Sequence, residues 1–369
     1  MIQRLEISPC DDTAYAIVST PTESRVASLG SGELVELKDE TFLRIGPLHF
    51  SPDGRSATAQ VEIKNKGWQL LDLRAKELVR TKERTLEQVY KPFFSLDGSL
   101  ALALVKRGAH FDFLDLDSGE LVGKRSGGFK YFDNLAVRRD GKYAVATISF
   151  EKNFQLLNVC TGEIIRAKGK EIESAFYPAF SEDGTLGVAS VKIGDRWQIL
   201  DLDSGELFAS REKKIEEVLS PIVEFPYRAL TRQPVTFFSK NNLAVAQVKV
   251  DGRWCYLNLN SGKLIGFEAG GFERCDCRNG DFPMAAVNKG GNWYFLGLQS
   301  DELFGVEGRL INDAGPAVFS PNGSLAIAPV NIDGHWHYLH VRSNQLTGVE
   351  GKDIEAAGSP VSLLMEVAP

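Results

Sequence analysis

Apolar and polar positions alternate along most of this chain in short runs separated by turn residues. Side chains of a strand point to opposite faces in turn, so a period of two predicts strands. The clearest run is small-x-small-x-β-branched. It reads Ala14/Ala16/Val18, Ala57/Ala59/Val61, Ala101/Ala103/Val105, Ala144/Ala146/Ile148, Gly187/Ala189/Val191, Ala244/Ala246/Val248, Pro283/Ala285/Val287 and Ala326/Ala328/Val330. Successive third members are 43, 44, 43, 43, 57, 39 and 43 residues apart. An aromatic column follows six or seven residues later: Trp68, Phe111, Phe154, Trp197, Trp254, Trp293 and Trp336. It holds all five tryptophans, and the first repeat has Ser24 in that place.

Each unit has the same grammar. An apolar strand ends at Phe-Ser. An Asp-Gly turn follows, in which Gly supplies a positive φ and Asp bonds its own backbone. Next come the strand LAxAxV, a hairpin rich in Gly, Asp and Asn, and a third strand opened by the aromatic. A turn such as Asp-Ser-Gly-Glu leads to a fourth, edge strand. FSLDGSLALALVKRGAHFDFLDLDSGEL from Phe94 aligns without a gap to the stretches from Phe180 and Phe319. A four-stranded antiparallel meander of this length is the size of one propeller blade. The fold expected is all-β: one domain over residues 1–369, a β-propeller of about eight four-stranded antiparallel blades. Seven blades with an irregular first repeat is the alternative. First-strand candidates number nine, centred on Ile7, Phe50, Phe94, Val137, Phe180, Phe238, Cys277, Phe319 and Val361–Leu364. The segment Gly358–Val367 is therefore expected to pair near the first blade, closing the ring and removing exposed edges.

The motifs F-S-x-D-G, LAxAxV and LDLxSGEL resemble WD-repeat β-propeller blades over roughly residues 5–350. The family's Gly-His pair is absent, and Leu71-Asp72, Leu114-Asp115 and Leu200-Asp201 stand for its Trp-Asp. The stretches Asp251-Gly252-Arg253-Trp254 and Asp333-Gly334-His335-Trp336 are also similar to bacterial WG-type β-repeats, without the Gly after Trp. Both resemblances imply an interaction module rather than an enzyme.

Composition narrows the class. Hydrophobic residues are 43% and charged residues 25%, ordinary globular values. A net charge of −7 argues against general nucleic-acid binding. Apolar runs fall far short of the ~20 residues a membrane span needs. Residues 1–6 lack the pattern of a secretory signal. Five irregularly spaced cysteines suit a reducing compartment, so a cytoplasmic location is expected. Cys275 and Cys277 would share a strand face as half of a soft-metal site, but no second pair completes it. No cofactor and no metal are expected.

Charge also sorts the loops. The first and third turns carry Asp53, Asp97, Asp140, Asp183, Asp117 and Asp203. The second-to-third hairpins are basic, with Lys106, Lys192 and Lys249 in one repeat column and Arg107, Arg196 and Arg253 beside them. These six are expected to face a protein partner with an acidic surface. The 57-residue spacing marks an insertion of 14 residues within 211–234. Ile215, Val218 and Leu219 at i, i+3 and i+4 predict a short amphipathic helix there. Lys213, Lys214, Tyr227 and Arg228 of this segment join the candidate surface, as do Phe129 and Tyr131 of the 123–134 connection. Ordinary solvated turns and a tolerated loop would explain the same residues.

Catalytic patterns are sparse. Histidines are His49, His110, His335, His337 and His340, and G-x-S-x-G, H-E-x-x-H and P-loop patterns are missing. His335 and His337 share one strand face, about 7 Å apart. The expected function is a non-enzymatic, monomeric protein–protein scaffold. A propeller enzyme or small-molecule or metal binder using an axial channel is the alternative.

Overall fold

A computed structural model describes residues 2–347 apart from 9–12, 22, 36, 38–39, 80–85, 123–127, 152, 212, 219–221, 226–227, 232–234, 239–242, 268, 270–271, 273, 277–282, 316 and 321–324. Every regular element among them is a β-strand. None of them forms a helix long and apolar enough to cross a membrane.

The alternating runs form small antiparallel sheets in chain order. Repeat three is typical: Gln88–Phe94, Ala101–Arg107, His110–Asp115 and Leu121–Val122 pair as a meander. Repeats four and seven do the same, from Tyr131–Val137 and Arg274–Asp276 onward. Repeats one and two join as one sheet through a single pair, Ser24 with Phe42. Repeat five has three strands, Ser174–Phe180, Gly187–Ile193 and Arg196–Asp201, and its fourth is reduced to a bridge between Leu200 and Leu207. In repeats six and eight the first strand is in two pieces. Glu217–Val218 and Val235–Phe238 both pair with Leu243–Val250, and Asp313–Ala314 and Val318–Phe319 both pair with Ala326–Ile332. The chain divides into two compact units: residues 1–180, 184–191 and 202–205, and residues 181–183, 192–201 and 206–369.

The small residues of the second strands follow from burial on both faces. Every residue of Ala144–Ser149 is buried. Repeat one packs Tyr15, Ile17, Val26 and Val35 onto Leu48, Ala57, Ala59, Val61 and Leu71 of repeat two. Alanine there lets two sheets approach while the flanking large residues fill the gap. Each buried Val or Leu contributes about 1.5–3 kcal/mol of transfer free energy.

The turns explain the aspartates that recur in the repeat. Ser51 and Ser95 hydroxyls donate to Asp53 and Asp97 at 2.6 and 2.7 Å, and Ser181 donates to Asp183 at 2.6 Å. Side-chain oxygens of Asp72, Asp115, Asn158 and Asn258 each accept from backbone N–H groups two and three residues on. Successive first turns also touch. A Cβ on Gly98, whose φ is +72°, would lie 2.1 Å from the Asp53 carboxyl carbon of the repeat before.

An 18-residue latch links one repeat to the next. Phe111 and Phe129 exchange backbone hydrogen bonds, as do Trp254 and Phe272. Trp293 N–H donates to Ile311 O at 3.0 Å, and the Gln69 amide beside Trp68 donates to Leu86 O at 3.3 Å. Phe42, Leu86, Phe129, Phe272 and Ile311 are all buried. Three residues beyond the latch, Ile45, Val89, Phe132, Val218, Cys275 and Ala314 face the β-branched member of the second strand.

That spacing corrects the helix expected at residues 215–219. Ile215 lies at the latch position, 18 residues after Trp197. Val218 is a strand residue opposite Val248. Their i, i+3 relation is the latch-to-strand interval of repeats two, three, four, seven and eight, and Leu219 lies outside the described residues.

The insertion is narrower than 211–234. In repeat three Val89 faces Val105 and Pro92 faces Ala103, so two bulge residues stand opposite Leu104. Repeats two and four are bulged alike at residues 46–47 and 133–134. In repeat six sixteen residues, 219–234, occupy that place, between Val218 opposite Val248 and Val235 opposite Ala246. The excess over two is the insertion of 14. Within it Ile222–Phe225 and Arg228–Thr231 pair as a separate hairpin.

Candidate functional site

The strand registers place the basic column opposite the aromatic column. Lys106 faces Phe111 and Lys249 faces Trp254. The Lys249 ammonium lies 6.0 Å from the Trp254 ring centre, a cation–π distance. Lys106 and Lys192 are half-buried by their stems and make no ion pair among the described residues. Arg196 is exposed, with Nε 3.8 Å from Asp195. Lys214 and Arg253 are exposed.

Other candidates are engaged within the chain. Arg107 holds Asp112 through two guanidinium nitrogens, Nε at 2.8 Å. The Asp112 side chain is only 3% exposed. Burial pushes the Asp112 carboxyl up, and the Arg107 hydrogen bond and charge oppose that. Arg107 is thus the counter-charge of a buried carboxylate. Lys213 pairs with Asp251 at 3.2 Å and lies 5.6 Å over the Phe267 ring. Glu216 accepts from Gly252 N–H at 3.1 Å and its own N–H donates to Lys249 O at 2.8 Å. These bonds sew the connection before the insertion onto the 250–253 hairpin.

The two aromatic candidates part company. Tyr131 is 60% exposed, whereas Phe129 is 2% exposed and latched to Phe111. Phe129 therefore leaves the list of surface residues. Its aromatic side chain serves burial, not display. Arg228 lies in the insertion hairpin, and Tyr227 lies outside the described residues, as do Cys277 and the segment Gly358–Val367. The aromatic column itself is structural. Phe154 packs 4.8 Å from Phe176, and Phe111 packs against Tyr90 and Phe129 at 5.8 and 6.3 Å. Trp68, Trp197, Trp254, Trp293 and Trp336 each stand second in their third strands.

Three side chains escaped the sequence reading. Asp112 is one. Arg138 is another: it takes the place of the serine in Phe-Ser and holds Asp140 at 2.9 Å and Asp203 at 3.4 Å, over the Tyr143 ring at 5.5 Å. The departure from serine was its visible signal. His49 is the third. Its Nε2 is buried without a hydrogen-bond partner among the described residues. Burial, then the charges of Lys91 and Arg4, lower its pKa to about 4. Among the described residues no group of three His, Cys, Asp or Glu side chains is placed to hold a metal ion.

No family model matches this chain. No curated protein matches it. Among solved structures it is similar to the dihydro-heme d1 dehydrogenase NirN in complex with DHE, over 93% of this chain and 74% of that one, at 16% identity and a TM-score of 0.34.

Proposed function

We propose that the eight repeats are the blades of a β-propeller, and that the chain is a non-enzymatic scaffold for a protein partner with an acidic surface. The observation that carries this reading is the different use of the two charge sets. Asp53, Asp97 and Asp183 of the first turns, and Asp72 and Asp115 at the third turns, are occupied as turn caps. Asp97 is held down to about 2, chiefly by the Ser95 hydroxyl. Lys106, Lys192 and Lys214 make no ion pair among the described residues, and Arg196 makes only a long one. Cations held on stiff hairpins steer an acidic partner and raise its association rate. The likeness of the repeat motifs to interaction propellers supports the same reading.

The test compares wild type with the Lys106→Glu, Lys192→Glu, Arg196→Glu triple variant in partner capture from host lysate at two salt concentrations. Circular dichroism first establishes that both fold. Capture by wild type that weakens with salt and is lost in the variant supports the basic surface. Equal capture by both overturns it.

A further inference from the structure

Three successive first strands, all in the first compact unit, bring Arg4, His49 and Lys91 together. Leu5, Leu48 and Pro92 face Ala16, Ala59 and Ala103, the second small residues of repeats one to three, and these pairs align the strands. One step before them stand Arg4, opposite Ile17, and Lys91, in the bulge opposite Leu104. One step after them stand Glu6, opposite Tyr15, and His49, opposite Thr58. Cross-strand partners share a face. Tyr15 and Ile17 pack on Leu48 and Ala59, so Arg4 and Glu6 lie on the face that repeat one turns to repeat two. Thr58 and Gln60 share the opposite face of repeat two, and the Gln60 amide donates to Val89 O at 3.2 Å. His49 therefore faces the first strand of repeat three, where Lys91 follows Val89 by two residues. The charges of Lys91 and Arg4 both reach its imidazole.

The repeat itself does not call for these charges. Repeat four has Asn134 and Ala136 at the same two registers, and repeat six has Thr236 at the second. Nor are the charges spent on the fold. Lys91 is exposed and makes no ion pair among the described residues. Arg4 Nε lies 2.6 Å from Glu6 Oε1, and the two terminal guanidinium nitrogens make no hydrogen bond among the described residues. His49 is half-buried, and its Nε2 is buried without a partner among the described residues. Glu6 offsets one of the two cations, so the cluster keeps a net positive charge. A phosphate group suits what remains. Its oxygens accept from the planar fork of an arginine, from a lysine ammonium and from an imidazole N–H at once. Its charge also relieves the repulsion between the two cations.

We propose that Arg4, His49 and Lys91 form a binding site for a phosphate group, either free or carried as a monoester by a small molecule. Arg4 and Lys91 hold its charge, and His49, as the Nε2–H tautomer, donates the third hydrogen bond. The site shares no residue with the basic hairpin surface, so it stands or falls apart from the partner-binding reading. It is tested on the full chain by isothermal titration calorimetry with inorganic phosphate and with glycerol phosphate, in low-salt buffer, against chloride at equal ionic strength. Wild type is compared with Arg4→Gln, Lys91→Gln and His49→Phe, and with Arg196→Gln as a cation outside the site. Urea midpoints establish that each variant folds, and Arg4 and Lys91 are exposed sites where substitution leaves a fold intact. The expected result is one phosphate per chain, bound about tenfold or more weakly in each of the first three variants and unchanged in Arg196→Gln. Binding of the monoester as well as the free anion assigns the site to a phosphorylated small molecule, and binding of inorganic phosphate alone assigns it to the free anion. No binding at millimolar phosphate overturns the proposal. Equal affinity in wild type and Lys91→Gln also overturns it, because the anion is then held elsewhere.

Discussion

Phe111 and Phe129 exchange a reciprocal pair of backbone hydrogen bonds, 2.7 and 2.9 Å long, with their rings 6.3 Å apart. The pair closes a loop of eighteen residues and returns the outgoing chain to the start of its own third strand. The next first strand then begins at a set height. Truncating Phe129 to Ala should cost about 3–5 kcal/mol, the usual figure for a buried Phe. Gly128→Ala should also destabilise. Its φ is +83°, and a Cβ there would lie 2.9 Å from the Cβ of His110. Urea unfolding of both variants checks the latch, and a Phe129→Ala midpoint equal to wild type would dismiss it.

Arg107 and Asp112 should behave as a structural pair. Arg107→Ala leaves a buried carboxylate without its counter-charge, so a loss of about 3 kcal/mol is expected. Arg196→Ala, at an exposed site, should change stability by less than about 0.5 kcal/mol. Equal effects of the two substitutions on the unfolding midpoint would contradict the assignment.

Acid should unfold the protein in two phases. The folded pKa of His49 is about 4 against an ordinary 6.5, chiefly through burial. The unfolded chain therefore binds the extra proton between those values. The stability tied to neutral His49 is fully present above about pH 6.5 and is lost as pH falls through 4. Asp97 has the opposite ionisation but the same direction of shift, to about 2, and Asp53 and Asp140 are also lowered. Their contribution is present above the ordinary aspartate range and is lost as pH falls toward 2. Urea midpoints from pH 7.5 to 2.5 should show both phases in wild type. His49→Phe should remove the upper phase alone, and its persistence in that variant would rule out His49 as the source.

Deleting residues 219–232 should leave a folded chain. Gln233-Pro234 would then form the two-residue bulge that Gly46-Pro47 forms in repeat two. Shortening sixteen residues to two removes three doublings of loop length, a gain of about 2 kcal/mol in closure entropy. A melting temperature at or above wild type is the expected outcome. A collapse of the fold would mean that the Ile222–Thr231 hairpin belongs to the core.

Much of this architecture is legible locally. Period-two runs, Asp-Gly turns and the Ala-x-Ala-x-Val column identify strands and turns because each rests on neighbours within a few residues. The 14-residue excess in repeat six is also a matter of counting. The position of that excess is not. Only the pairing of Val218 with Val248 and of Val235 with Ala246 places it inside a first strand. The same limit produced the mistaken helix, since i, i+3 spacing describes both a helical face and a latch followed by a strand.

Burial and charge partnership belong to the tertiary structure. Phe129 and Tyr131 are two residues apart and read alike, yet one is a latch and the other faces water. Arg107 and Lys106 are adjacent, yet one neutralises a buried carboxylate and the other makes no ion pair among the described residues. Leu5 and Leu48 hold equivalent positions and differ tenfold in exposure, 56% against 5%. The sequence by itself determined the repeat, its strands and its turns, because those follow from backbone preference and side-chain alternation. The neighbouring sheet decided which side chains are buried in the fold and which stay exposed, because burial depends on what lies across a face and not on the residues beside it in the chain.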